Sequence, residues 1–420
     1  MSIKVTDEDG KYMHDFVSRV GSFTRSPGSP GERKGAEMAA DAMKEFAHEV
    51  KIEDFQLAPK AALGWIKFVI PLFLVALALF KIEPIISALI MIFNFFIVIG
   101  QFVFYKQIID PFYPQKTSCN TYGVINPSGE AKQTIIFAGH IDSAFQFNLI
   151  KWWGGRAYTV LVFLVLVTFL VFGLTSIANG ILVVMNNYSI LFEVPGIVNE
   201  VFHIIWIVII CLVPLAILFF FFTTWIETPG CADNLSGVSV ALGVGRALNN
   251  LKEKGGFFPK HTRVVTMAFG AEEAFLRGAM AYVKAHHDRL KAENTILINV
   301  ETLVEEDDLF FMTSDLNGTV KLSKRVVDDL KKVAHKLGYK VKTMGMPLGG
   351  GSSDSAAFAR AGIETSCIIG LDLGKVIEGK GYFNHYHTVR DTPDKVDPKV
   401  LQQVLHICLN YLKMKDEEVA

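Results

Sequence analysis

Five short segments carry side chains able to do hydrolytic chemistry. Phe137-Ala138-Gly139-His140-Ile141-Asp142-Ser143 ends an apolar run on an imidazole. Asp142, two residues on, has the reach to hold that ring in one tautomer, the support a metal-bound histidine needs. Pro229-Gly230-Cys231-Ala232-Asp233-Asn234-Leu235-Ser236-Gly237 sets Asp233 just ahead of a helix-like stretch. Asp233 reads either as a helix cap or as a carboxylate holding one metal ion on each oxygen. Ala268-Phe269-Gly270-Ala271-Glu272-Glu273-Ala274-Phe275-Leu276-Arg277-Gly278 puts two carboxylates where a strand-like run gives way to a helix. They suit a helix N-terminus, or one binds metal while the other takes a proton from water. Ile298-Asn299-Val300-Glu301 ends a further apolar run on a carboxylate. His385-Tyr386-His387-Thr388-Val389-Arg390-Asp391-Thr392-Pro393-Asp394 places imidazoles in a loop rich in acid. Singly, each has an ordinary structural explanation; their shared place at strand ends is what joins them.

The elements that must position these residues alternate. Thr134–Ala138, Arg263–Phe269, Thr295–Val300 and Thr365–Ile369 are compact apolar runs that predict buried parallel strands. Gly237–Leu248, Phe275–Lys291 and Lys321–Leu337 show the apolar spacing of amphipathic helices. Residues 1–61 read as helical, with the Lys34–His48 periodicity preceded by a Ser-Pro-Gly-Ser-Pro-Gly loop at 26–31. The fold class is therefore α/β, a sheet flanked by helices on both faces, with ligands expected at the carboxyl ends of its strands. Gly349-Gly350-Gly351-Ser352-Ser353 reads as a flexible loop, and no Lys-Ser/Thr follows to make it a phosphate cradle.

Bulk composition adds a second theme. A net charge of -1 over 420 residues calls for no nucleic-acid partner. Half the residues (51%) are hydrophobic, 33 are Phe, and the mean hydropathy of +0.34 implies that part of the chain is solvated by lipid. Four apolar stretches, Leu63–Phe80, Ile85–Tyr105, Tyr158–Met185 and Phe202–Phe222, approach the roughly 20 residues needed to cross a bilayer. Lys60, Lys67, Lys106, Lys116, Lys151 and Arg156 flank the ends joined to the polar parts. Opposite them stand Lys81 with Glu83 in one turn, and Glu193 with Glu200 in the other. The positive-inside tendency then predicts a multi-pass integral membrane protein with its polar bulk in the cytoplasm. The N-terminus lacks an apolar signal-peptide core, and the five scattered cysteines suit neither a disulfide framework nor a thiolate zinc site.

Taken in order, the five motifs resemble the co-catalytic di-zinc aminopeptidase and glutamate carboxypeptidase family, which also contains glutaminyl cyclases. The His-x-Asp, Asp-Asn-x-Ser-Gly, Ala-Glu-Glu-x-x-Leu-Arg-Gly and Tyr-His-Thr-x-x-Asp-Thr patterns all read directly here. The resemblance implies a zinc-exopeptidase-like fold and two zinc ions, one held by His140, Asp233 and Glu301 and the other by Asp233, Glu273 and His387. It implies Glu272 as the general base for the bridging water, Asp142 as the partner of His140, and Tyr386 as support for the oxyanion. Many relatives have Asp where this chain has Glu301.

Under that resemblance, residues 1–61, 107–156 and 224–420 form one catalytic domain, and 62–106 and 157–223 are transmembrane hairpins inserted into it. His140 and Asp233 must meet although two apolar segments separate them, and an even number of crossings returns the chain to one side. Both connections of the second hairpin lead to ligands. This suggests either an active-site mouth facing the lipid surface and favouring hydrophobic substrates, or simple anchoring. Three functions stay open. One is an aminopeptidase acting on peptides. Another is an amidohydrolase of N-acyl amino acids or lipid amides, and the last a non-enzymatic membrane scaffold of the same fold.

Overall fold

Strand-like runs buried on both faces build the frame of the site. The computed structural model describes residues 2–188, 196–306 and 308–420, so Glu193 lies outside the described residues. In β3 (Gln133–His140), Ile135 and Phe137 face one core cluster while Ile136 and Ala138 face another. In β4 (Thr262–Phe269), Val264 and Ala268 face the first, and Val265, Met267 and Phe269 the second. In β5 (Thr295–Leu303), Ile296, Ile298 and Val300 oppose Leu297 in the same way. A strand buried on both sides needs a helical layer on each face, and burial of each large side chain contributes about 1.5–3 kcal/mol.

The chain divides into two units. One comprises Met1–Pro59, Pro114–Gln146 and Trp225–Ala420; the other Lys60–Tyr113 and Phe147–Thr224. The first holds a nine-stranded mixed sheet. Its remaining strands are β1 (Glu49–Leu57), β2 (Lys116–Ile125), β6 (Leu309–Asp315), β7 (Val320–Lys321), β8 (Val341–Gly345) and β9 (Glu364–Gly370). Their order is β1-β2-β4-β3-β5-β9-β6-β7, with β8 beside β6. The central four, β4-β3-β5-β9, run parallel. Antiparallel pairings extend the sheet on either side.

Helices α1 (Asp7–Val20), α2 (Pro30–Lys44), α7 (Ser236–Glu253), α9 (Lys324–Lys336) and α12 (Pro398–Glu418) contribute to the first cluster. Helices α8 (Arg277–Ala292) and α10 (Ser355–Arg360) contribute to the second. A short α11 (Leu373–Ile377) precedes the last loop.

The sheet corrects one expectation. Residues 49–57 form strand β1 rather than helix, because register pairing with β2 from Glu49↔Val124 to Leu57↔Lys116 decides what local propensity leaves open. The four runs read as parallel strands are parallel, and the antiparallel pairings lie outside them.

The second unit is helical: α3 (Ala61–Leu79), α4 (Pro84–Ile97), α5 (Asn148–Tyr188) and α6 (Gly196–Phe220), with a π-turn at Val98–Val103 continuing α4. All four are long and apolar enough to cross a membrane. Their outward residues are bare hydrocarbon, including Leu89, Phe93, Phe163 and Ile204. Inside, small residues and single polar side chains join the helices, as in lipid-solvated bundles. A Cβ on Gly173 would stand 2.4 Å from Phe95, and one on Gly180 2.6 Å from Ala88. Ser87 Oγ donates to the Ala76 carbonyl and shares a hydrogen bond with Ser176, and Trp206 Nε1 donates to the Leu77 carbonyl. The third apolar stretch begins earlier than predicted, at Asn148, with a break where Gly154 takes φ 77°.

Candidate metal centre

The carboxyl ends of the parallel strands deliver the chemistry. His140 is the last residue of β3, Glu301 lies near the end of β5, and Glu272 and Glu273 follow β4. Two glycines let α7 bring Asp233 to them. A Cβ on Gly139 would meet the Val238 nitrogen at 2.5 Å, and one on Gly237 the Val300 carbonyl at 2.1 Å. With those Cβ atoms absent, the start of α7 seats directly on β3 and β5.

The named residues converge. His140 Nε2 stands 3.2 Å from Asp233 Oδ1, 3.5 Å from Glu301 Oε2 and 3.7 Å from Glu272 Oε2. On the other carboxylate oxygen, His387 Nε2 stands 3.0 Å from Asp233 Oδ2 and 3.1 Å from Glu273 Oε1, the latter without an aligned hydrogen bond. One ligand atom each from His140, Asp233 and Glu273 fall within 4.8 Å of one another. The donor set fits zinc. Ligands about 2.0–2.1 Å from a tetrahedral zinc stand about 3.3 Å apart, the range seen here, and the N/O chemistry without thiolate is that of catalytic sites. Four carboxyl groups facing two imidazoles also require added positive charge. Among them Glu272 keeps the most exposure, 12% of its side chain against 9% for Glu301 and 8% for Glu273.

Protons serve that role when no cation does. Burial opposes the charged form of His387, yet Glu273 and Asp233 outweigh it and push its pKa to about 10. His140 is likewise raised well above its usual value, burial being overcome by Glu301 and Glu272 first. Burial alone would raise Asp233, but hydrogen bonds with His140 and His387 carry it well below the carboxylate range. Glu301 is pushed up to about 7 by burial, and Glu272 well above its usual value by burial with Glu273 and Glu301 adding to it. A raised carboxyl beside a cationic site suits a group that must exchange protons near neutrality.

The turns around the site depart from the sequence reading. Glu272 and Glu273 do not open a helix, since α8 begins only at Arg277. They occupy a turn in which Ala271, Phe275 and Leu276 have φ of 51°, 68° and 62°. Such backbone persists only where surroundings over-determine it. Here Asp142 does so, its two oxygens accepting the Glu272 and Glu273 amides at 3.0 Å each. The nearer partner of His140 Nδ1 is the Asp142 main-chain carbonyl at 3.2 Å, with the carboxylate at 3.4 Å. Asp233 caps no helix; its neighbour Asn234 accepts from the Gly237 amide instead. Tyr386 stacks on the His387 ring with centroids 3.8 Å apart.

Residues 221–412 match Peptidase family M28. Over 180 residues the chain is 28% identical to Aminopeptidase YwaD of Bacillus subtilis, a stretch covering 42% of this chain and 35% of that relative's length. The aminopeptidase from Aneurinibacillus sp. strain AM-1 shares the fold at TM-score 0.56 and 14% identity, covering 98% of this chain and 96% of the other. A glutaminyl cyclase from Bacteroides thetaiotaomicron shares it at TM-score 0.54 and 13% identity, covering 98% and 99%.

The site also uses residues the sequence reading did not single out. Asn234 and Asn299 donate to the two oxygens of Glu301, at 2.6 and 2.9 Å. Asp391 accepts the Ala232 and Asp233 amides, and burial pushes its carboxyl to about 7. Glu32 accepts from Ala271, Gly28 and Ser118, and burial lifts it to about 8. Asp354 is buried, with neither oxygen hydrogen-bonded among the described residues; burial and the charge of Glu301 raise it well above its usual value. Asp391 and Asn234 lay inside quoted motifs, so a search for buried acceptors beside each ligand would have found them. The glycine-rich loop before Asp354 is pinned by Asn317, which accepts from Gly349 and Gly351, and by Asp315, which accepts from Ser352 and Ser353.

Proposed function

We propose that this chain is a peptidase of the M28 kind, a membrane-bound, zinc-dependent exopeptidase acting as an aminopeptidase that removes residues from the N-terminus of peptides. The observation that carries the reading is Asp233 standing between two imidazoles, one on each oxygen, with a further carboxylate beside each imidazole. In this reading His140, Asp233 and Glu301 hold one zinc ion, and Asp233, Glu273 and His387 hold a second. Bound there, zinc supplies a Lewis acid for the scissile carbonyl and acidifies water. Glu272 takes the proton of the attacking water and returns it to the leaving amine, a task its raised pKa and residual exposure favour. Asp142 fixes the turn that aims Glu272, and Tyr386 steadies the oxyanion. The four apolar helices support two membrane hairpins inserted in the catalytic chain, and the basic residues at their flanks support a cytoplasmic catalytic unit.

The test uses detergent-purified protein with zinc, peptides with free amines, and the same peptides N-acylated by short and long chains. Mass spectrometry should find cleavage of the free-amine members only. Glu272→Gln should reduce turnover by about 10²–10⁴-fold while zinc content stays unchanged. Preferential cleavage of long-acyl members would move the assignment to a lipid amidohydrolase. A protein that retains no zinc would point to a scaffold.

A further inference from the structure

Arg25 is among the largest fully buried side chains of the described residues, and its guanidinium is held by carbonyls rather than by a carboxylate. All five guanidinium hydrogens have main-chain carbonyl acceptors. Nε donates to Ile141 at 2.7 Å. Nη1 donates to Val20 at 3.0 Å and Phe23 at 2.9 Å, and Nη2 to Pro229 at 2.7 Å and Gly230 at 2.9 Å. Ile141 directly follows His140, and Gly230 lies three residues before Asp233. Room for the side chain comes from Gly35, where a Cβ would stand 2.8 Å from Arg25 Cδ.

The same two segments are zipped together beyond the guanidinium. Arg25 N donates to Ser143 Oγ, and Ser143 N donates back to the Arg25 carbonyl. Ser143 Oγ in turn donates to the Thr228 carbonyl at 2.8 Å, and Thr228 binds Ala144 through both its amide and its hydroxyl. Phe145 pairs with Glu227, and the Gln146 amide donates to Ile226. Thr24 and Ser26, on either side of Arg25, donate to the two oxygens of Glu227. Gly230, at φ 57°, leaves no space for a Cβ against Ser143. The ribbon so formed stands at the point where the chain leaves the catalytic unit after Gln146 and returns at Trp225.

We infer that Arg25 is a positioning residue that holds the His140 and Asp233 segments in register, so that imidazole and carboxylate are set at metal-binding distance. This rests on the metal-centre reading above. The physical case is that the two ligands are 93 residues apart with the whole second hairpin between them, so local backbone cannot fix their separation. A planar fork with five donors spans carbonyls from three segments at once. Lysine, with three donors on one atom, cannot. Burial lowers the guanidinium only to about 10, so it stays charged at neutral pH, with Asp142 and Asp391 helping to retain the charge.

The test compares the full-length chain in detergent with Arg25→Lys. In the metal-free protein, hydrogen–deuterium exchange should rise about tenfold or more in peptides covering both 139–146 and 226–234, with β4 and α12 unchanged. Cobalt titration, read by its visible absorption, should show affinity weakened about 10–100-fold, the usual cost of losing support behind a ligand. If Arg25→Lys does not fold, Ser143→Ala removes the bridge between the same segments and should shift both readouts in the same direction. Unchanged exchange in the variant that folds, or loosened segments with unchanged cobalt affinity, overturns the inference. Wild-type protein that takes up no cobalt defeats the metal-centre reading instead, and exchange alone then decides whether Arg25 joins the two segments.

Discussion

The two units both bury polar groups among hydrocarbon, but they use them differently. In the helical unit most main-chain groups pair within their own helices, and Ser87, Trp206 and Asn94 donate to carbonyls of α3, those of Ala76 and Leu77 in its last turn and that of Val69. In the sheet-bearing unit His140 and Glu301 are carried by strand ends, whereas Asp233, Glu272 and Glu273 sit on turns whose amides are taken up by side chains. Buried carboxyl groups accept those amides: Asp142 those of Glu272 and Glu273, Glu32 that of Ala271 in the same turn, and Asp391 those of Ala232 and Asp233. Irregular backbone exposes reactive side chains at the cost of orphaned main-chain groups, and the fold meets that cost with carboxylates and one arginine. Polar atoms therefore tune packing in one unit and determine geometry in the other.

That contrast can be broken by measurement. Asp391→Ala strips the acceptor from two buried amides and should destabilise the protein by about 2–4 kcal/mol, with loss of zinc, in denaturant titrations monitored by tryptophan fluorescence. A loss below about 1 kcal/mol would show that the turn holds itself.

A second measurement sharpens the contrast through protons. His387, with its pKa at about 10, must release a proton before it can ligate metal, so zinc affinity should climb with pH. The expected slope is about tenfold per pH unit for each proton displaced, between about pH 6 and 8, by competition with a chelator of known affinity. The metal-free protein should behave in the opposite sense. The imidazolium contacts stabilise it fully below the ordinary histidine value of about 6.5, and that contribution fades as pH rises through about 10. A zinc affinity that does not change with pH would remove His387 from the ligand set.

The smallest effect belongs to the helical unit. Ser87→Ala should cost about 0.6 kcal/mol in detergent unfolding, the average for a side-chain hydrogen bond between membrane helices. A loss matching that of Asp391→Ala would erase the distinction between the units.

Much of the frame was legible. Thr134–Ala138, Arg263–Phe269, Thr295–Val300 and Thr365–Ile369 lie within β3, β4, β5 and β9, because a strand buried on both faces has little choice but continuous Val, Ile, Leu and Phe. Strand β1 was not legible, since its charged, half-exposed pattern is compatible with a helix until β2 is placed beside it. The turn at Glu272 was misread for a related reason. Ala-Glu-Glu-Ala-Phe-Leu suits the start of a helix, and only Asp142, 130 residues earlier, holds the two amides out of one.

Chain order and side-chain chemistry were thus enough to name an α/β frame, four apolar helices and six groups able to bind metal or move protons, because periodicity and ligand type are local properties of sequence. Tertiary structure alone decided how those groups are held. The amides that donate to Asp142 and Asp391, the donors behind Glu301 and the five carbonyls around Arg25 come from segments far apart in the chain. Main-chain carbonyls and amides are the same at every residue, so no sequence pattern marks which of them a buried charge will meet.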